Sequence, residues 1–562
     1  MEKKQPSFGP KANKRAEVKT SSSDNRHKAS KEARQTEANG LEYPTGLRLA
    51  FIVLGLCLAV FVVALDNTII ATAIPKITSQ FNSLNDVGWY ASAYLLTTGC
   101  FQLLYGRLYS AFRIKWVFIS TIIIFELGSF VCGATPSSVG LIVGRAIAGV
   151  GAAGIYSGAL IILANIVPLQ KRPVYLGAIA GMYGLASVAG PLLGGVFTDK
   201  ITWRLCFYIN LPVGLITILA VVFFYHQSDR PTVAMGWRAR LKTFNITGNV
   251  FLMPAVICLL LALQWGGTTY PWRSVRIIAM FAVFAILIIG FTVVQFLQPE
   301  NAMVPPRLLR KRSIWAACIY SFTISGAFFI LSYYLSIWFQ AVKGSSAVKS
   351  GIMSLPFVSG VVLGALIAGI GTMMLGYYTP FMILSSILMP IGCGIITTFT
   401  PSTASPAWIG WLAMAGMGNG IGTQGPLVAV QNVLSLKDVP IGTALVVFMQ
   451  TIGGAIAVPI GQTIFNNKLV EGLHKLTPEL DPPSVVNIGA TEIHNVFEGA
   501  QYTRIIEAYN DALSRTFLVA TVLAALTLGG SLAMEWKTVK REKKSNENAE
   551  EAVEAEGRRE KA

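Results

Sequence analysis

Apolar runs of about 20 residues, the helical length that crosses a hydrocarbon core, recur along nearly the whole chain between short polar stretches. They predict fourteen spans, at 47–71, 88–105, 116–134, 139–163, 175–197, 205–225, 243–264, 276–297, 313–340, 350–371, 377–398, 406–433, 440–464 and 516–535. The runs are continuous rather than alternating, which selects helices over barrel strands, the two structures that satisfy backbone groups in lipid. The expected fold class is an all-α polytopic membrane protein. With 53% hydrophobic and 13% charged residues and a mean hydropathy of +0.56, a water-soluble globule is excluded.

Charge then orients the spans. Lys and Arg gather in short cytoplasmic loops, and an even span count puts both tails on one side. That side carries Arg107, Arg113, Lys115, Lys171, Arg172, Arg230, Arg238, Arg240, Lys242, Arg307, Arg310, Lys311 and Arg312. The opposite loops carry fewer, Lys76, Lys200, Arg204, Arg273, Arg276 and Lys343, with Arg273 and Arg276 in mild dissent. Both termini are therefore expected in the cytoplasm. Residues 1–45 and 536–562 lack apolar periodicity and read as disordered tails. The first span reads as an uncleaved membrane signal. Basic loops facing anionic lipid account for much of the +17 net charge without nucleic acid.

Shifting the chain by 267 positions lays Ala146, Ala148, Gly149, Gly151, Gly158, Asn165, Leu169 and Pro173 on Ala413, Ala415, Gly416, Gly418, Gly425, Asn432, Leu436 and Pro440. Span 4 then overlies span 12 in the same orientation. Two six-span bundles, 46–226 and 313–535, with two inserted spans in 227–312, fit this offset. Asn466–Arg515 reads as an external loop in which Thr491 to Leu518 forms a partly amphipathic helix. Arg145 is matched by Leu412, so coupling chemistry is expected in the first bundle.

Four motifs carry a resemblance. Span 1 holds Leu65-Asp66-Asn67-Thr68-Ile69-Ile70-Ala71-Thr72-Ala73-Ile74-Pro75, and span 4 holds Gly144-Arg145 followed by Gly149, Gly151 and Gly154. Span 5 holds Gly184 with Gly190-Pro191 and Gly194-Gly195, where glycines admit a neighbour and the proline removes a backbone donor. Trp203-Arg204-Leu205-Cys206-Phe207-Tyr208-Ile209-Asn210-Leu211-Pro212 enters span 6. Over about 45–536 the chain resembles a fungal fourteen-span drug:proton antiporter of the major facilitator superfamily, of the multidrug or toxin efflux type. The resemblance implies the major facilitator fold and Gly106, Arg113 and Lys115 as gating residues. Gly106-Arg107-Leu108-Tyr109-Ser110 departs from it, with serine where the family usually has aspartate, which puts a gating salt bridge there in doubt. Arg113 and Lys115 are left to pair with acidic or carbonyl groups at helix ends.

Asp66, Glu126 and Arg145 are ionisable residues within spans, where a charge costs roughly 2.5 to 3.5 kcal/mol and so pairs or meets water. Arg145 stays charged and lowers the proton affinity of a nearby carboxylate, while desolvation raises it. An acid alternating between the two loads a proton on one side and releases it on the other. The competing readings are a hydrated helix-end Asp66 and a Glu126 that only glues helices. Gln102, Gln424, Gln431 and Gln450 are candidates for a cargo cavity, because amides bind varied ligands without a buried charge. Phe322, Phe328, Phe329, Tyr333 and Tyr334 of span 9 line that cavity or face lipid. Gly149 to Gly154 matches dinucleotide-binding spacing, but no strand precedes it and it reads as a packing face.

The seven cysteines and four histidines show no disulfide or metal spacing. No cofactor and no enzymatic chemistry are expected. The expectation is a monomeric proton-coupled exporter of small amphiphilic organic compounds in the lipid bilayer of the plasma membrane, with the vacuolar membrane as alternative. A siderophore or basic amino-acid transporter and a non-transporting receptor of the same fold remain open.

Overall fold

Leucine-, valine- and alanine-rich runs without a charge for several turns fold into helices because lipid offers the backbone no other partner. The computed structural model describes residues 43–81, 86–226, 245–267, 270–299, 302–477, 496–497 and 499–540. The expected tail segments 1–42 and 541–562, the loop bearing Arg230, Arg238, Arg240 and Lys242, and residues 478–495 of the expected external loop lie outside them.

Among the described residues are fourteen long helices: α1 Gly46–Phe81, α2 Val87–Ala111, α3 Ile114–Ala134, α4 Ser138–Ile166, α5 Arg172–Lys200, α6 Leu205–Phe224 and α7 Ile246–Trp265. They continue as α8 Val275–Leu297, α9 Arg312–Val342, α10 Val348–Leu375, α11 Thr379–Ile396, α12 Ser405–Thr423 with its continuation Gly425–Val433, α13 Val439–Leu476 and α14 Gly499–Ala533. Twelve are long and apolar enough to cross a membrane. The exceptions are α2 and α12, which carry Gln102 and Arg107, and Asn419, Gln424 and Gln431. No strand forms among the described residues, only two isolated bridges.

Helix ends follow local chemistry. Ser137 caps α4 by accepting from the Gly140 amide at 3.2 Å, and Asn245, in the left-handed region at φ 42°, caps α7 through Gly248 at 2.8 Å. Three helices outrun the expected spans by ten residues or more. α1 continues ten residues past 71, α13 runs to Leu476, and α14 begins at Gly499. Asn466–Arg515 is therefore shorter as a loop than expected: residues up to Leu476 belong to α13, while the helix expected over Thr491 to Leu518 is met by the start of α14 at Gly499. Polar residues such as Gln80, which accepts from the Trp203 indole at 2.7 Å, mark helix surface there rather than a helix end.

Helices α1 to α6 pack on one another, as do α9 to α14. The two groups meet where α2 lies on α13 and α5 on α10. Helix α7 packs on α2, α13 and α8, whereas α8 is mostly exposed apolar surface. The internal repeat is visible as packing. A Cβ on Gly128 of α3 would meet Ala148 of α4, and one on Gly392 of α11 would meet Ala415 of α12; 148 and 415 are repeat partners. Likewise Gly151 admits the Phe125 backbone and Gly418 the Met389 backbone, and Gly149 admits the Tyr94 carbonyl as Gly416 admits that of Phe357. Removing side chains lets helix backbones approach in both copies.

Candidate functional site

Asp66 stands mid-way along α1 because that helix runs on to Phe81, and the residue is 0% exposed. The helix-end reading is thereby overturned. Arg145, seven residues into α4 and 1% exposed, donates Nη1 to Asp66 Oδ2 and Nε to the Tyr90 carbonyl at 2.8 Å. Its guanidinium lies 4.3 Å from the centre of the Tyr94 ring, a cation–π contact that adds to the ion pair. Asn210 of α6 completes the group: its Nδ2 donates to Asp66 Oδ1 at 3.2 Å and to Ser129 Oγ of α3 at 3.0 Å. A buried apolar cluster that includes Leu65, Ile69, Tyr90, Cys132, Leu141 and Phe207 walls this end of the bundle. A pair so enclosed is stable only while both partners remain, since removing one leaves a buried charge uncompensated.

Glu126 lies on the same side of α3 as Ser129. Its carboxyl is seated over Gly214, where any Cβ would strike it, and neither oxygen has a hydrogen-bond partner. The three ionisable residues singled out from the sequence thus gather in the first six helices. Asn210, Ser129, Tyr90 and Tyr94 were not read as functional. Asn210 had a legible signal, a lone amide in an apolar run beside Pro212, but it stood inside a motif read only for its resemblance.

The candidate amides behave differently from one another. Gln102 clamps α2 to α4, donating to the Ala153 carbonyl at 3.2 Å and to Ser157. Gln424 Oε1, both polar atoms of Gln431, and Gln450 Nε2 are buried without partners, as are Ser321, Ser385 and Thr443 hydroxyls. These six residues belong to α9, α11, α12 and α13. Tyr333 is 51% exposed and meets Tyr334 edge-on, and nothing brings it to the amides. Phe328 stacks on Phe357 of α10 at 5.7 Å, and Phe329 fills the space over Gly454.

Among the residues expected to gate, Gly106 lets α13 approach; a Cβ there would stand 2.6 Å from Ala444. Lys115 donates to the Val222 and Tyr225 carbonyls at 2.8 and 2.9 Å, at the end of α6. Arg113 precedes α3. Ser110 reaches the Lys437 carbonyl at 3.3 Å, and the acid at this seam is Asp438, before the first turn of α13. Arg307 binds it through two bonds of 3.0 and 2.7 Å, and Arg107 of α2 stands near enough to interact electrostatically with both. The serine of the α2–α3 turn thus meets the segment that carries Asp438 on the facing group of helices. Gly190 and Gly194 admit Thr68 and Thr72 of α1, and Gly149 and Gly151 admit α2 and α3. Gly195 has nothing within 4 Å, so no close packing occurs there. Pro191 sits inside α5 without ending it.

A profile of the Major Facilitator Superfamily matches residues 56–458. This chain belongs to the Major Facilitator Superfamily. It is 52% identical over 528 residues, 94% of the chain and 98% of the relative, to "MFS-type efflux pump MFS1" of Arthroderma benhamiae. It is 48% identical over 507 residues, 90% of the chain and 98% of the relative, to "Efflux pump aflT" of Aspergillus parasiticus. Among solved structures it shares the fold of the human organic anion transporter MFSD10, with a TM-score of 0.54 at 13% identity over 85% of this chain and 100% of that one. A bacterial homologue of the lysosomal transporter Spinster follows, with a TM-score of 0.52 at 14% identity over 88% of this chain and 100% of the other. The chain is therefore a multi-pass membrane transporter by family.

Proposed function

We propose that this major facilitator exports small amphiphilic organic compounds and that inward proton flow drives the export. The observation that carries the reading is the buried Asp66–Arg145 pair with Glu126 one turn away from Ser129, while a second group of helices offers unpartnered amides and hydroxyls. A carboxylate that is alternately paired with Arg145 and opened to water changes its proton affinity, and one pH unit is worth about 1.4 kcal/mol, roughly tenfold accumulation of a neutral cargo. The relatives named as efflux pumps support the direction of transport.

Residues 46–226 and 313–535 act as two bundles that rock about a midplane site, with 227–312 as an insertion and with α2 and α12 as the remaining crossings. No acidic residue occurs between Asn301 and Lys437, which favours neutral over cationic cargo. Ser110, Lys437, Arg107, Asp438, Arg307 and Lys115 lie at the basic end, placed in the cytoplasm with both termini. There Gly369 sits on the Pro173 carbonyl and Gly106 on Ala444, whereas a Cβ on Gly351 at the other end would stand 3.8 Å from Pro191. This describes a transporter closed toward the cytoplasm. It works as a monomer in the plasma membrane.

Flux of an amphiphilic fluorescent dye into tight liposomes tests the coupling. Acidifying the side from which protons enter should raise dye accumulation about tenfold per pH unit. Flux that ignores the imposed gradient overturns it.

A further inference from the structure

The polar core of the first six helices is short of one proton. Glu126 presents two carboxyl oxygens and Asn210 one amide oxygen, all buried and all without a donor. The nitrogen donors beside them are already engaged. Asn210 Nδ2 serves Asp66 and Ser129, and Arg145 serves Asp66 and the Tyr90 carbonyl.

Register places the orphan atoms together. Glu126 and Ser129 are three apart on α3, and Asn210 and Gly214 four apart on α6, so each pair lies on one face of its helix. Ser129 bonds Asn210, and Glu126 rests over Gly214. The carboxyl therefore stands about one helical turn, ~5 Å, from the amide. A single proton on Glu126 supplies the missing donor, and Asn210 Oδ1 is the acceptor left to receive it. Other titratable groups interacting with Asp66 are Tyr94 of α2, Cys132 of α3 and Cys206 of α6, phenols and thiols that offer no charge at neutral pH.

We propose that Asn210 is a positioning residue that links the two acids. When Glu126 takes up a proton, forming one O–H bond, its side chain swings across that gap from Gly214 and donates to Asn210 Oδ1. The amide is then held with its Nδ2 on Asp66 and Ser129, and Asp66 is kept in place for Arg145. When Glu126 returns that proton to water and becomes anionic, the amide loses its anchor and the Asp66–Arg145 pair loosens. The inference rests on the coupling role given to these acids above.

Infrared titration of the full chain in phospholipid nanodiscs reads it, with the proton as the probe. The expected result is a carboxylic-acid carbonyl band that is absent in Glu126→Gln. In Asn210→Ala it should move to higher frequency, with its titration midpoint about one pH unit lower, a tenfold loss of proton affinity. Asn210→Ser, which keeps an acceptor, should recover part of the shift. If Asn210→Ala does not fold, Ser129→Ala, which frees one of the amide's two contacts, should shift the band in the same direction. A band absent from the wild type, or unmoved in frequency and midpoint by these variants, overturns the proposal. A chain that shows the Asn210-dependent band yet ignores an imposed pH gradient in the liposome assay loses the coupling reading and keeps this one.

Discussion

Helices α4 and α12 are copies in packing and opposites in chemistry. Gly149, Gly151 and Ala148 receive the backbones of α2 and α3 as Gly416, Gly418 and Ala415 receive those of α10 and α11. Yet Arg145 is matched by Leu412, which is 0% exposed in an apolar setting. Under Arg145 lies the Tyr94 ring at 4.3 Å; in the other copy the matching position, Phe357, stacks on Phe328 at 5.7 Å. Close packing needs only small residues at fixed spacing, so it survives duplication. A buried charge needs a partner on another helix, and the second group of helices has no acid to give between Asn301 and Lys437. The result is a fully buried ion pair within the first group and buried unpartnered amides and hydroxyls in the second.

The contrast can be broken most severely by making the copies alike. Leu412→Arg buries a cation with no acid to meet it and should cost more than about 4 kcal/mol. Thermal unfolding of the purified protein should show a collapse of stability, and a well-folded Leu412→Arg would mean that the second group can neutralise charge after all. Next, Arg145→Ala leaves Asp66 uncompensated and should cost about 3–5 kcal/mol and abolish gradient-driven flux. Adding Asp66→Asn to Arg145→Ala should restore much of the stability but none of the coupling. Recovery of both would remove the pair from the transport cycle. The smallest effect is expected at Gln431, whose amide is buried without a partner. Gln431→Leu should raise stability by about 1 kcal/mol while slowing efflux of hydrogen-bonding dyes more than purely apolar ones. A loss of stability would show that the amide serves packing.

The ion pair was partly legible. Asp66 and Arg145 stand out because charge is rare in spans, but whether they meet depends on how far α1 continues. Its boundary was misjudged where polar residues follow 71. Glu126 was legible for the same reason, although the seat over Gly214 was not. Gln102 was grouped with Gln424, Gln431 and Gln450 because a sequence does not show which amides find partners. In space the first clamps α2 to α4 and the others do not. Gly195 read like Gly194, yet only the latter faces α1. Neighbours one position apart on a helix point about 100° apart.

Hydrophobic runs, charge asymmetry and the 267-residue repeat determined by themselves that this chain is a helical polytopic membrane protein with its in-span arginine in only one copy of an internal duplication. Those features are local or periodic, and lipid enforces them on any chain that enters it. Tertiary structure alone decided that Asn210 and Ser129 join Asp66 to the neighbourhood of Glu126, and that Ser110 at the end of α2 meets the segment carrying Asp438. Such pairings join residues as many as 327 positions apart. Their distances are fixed by how helices pack, which no single segment encodes.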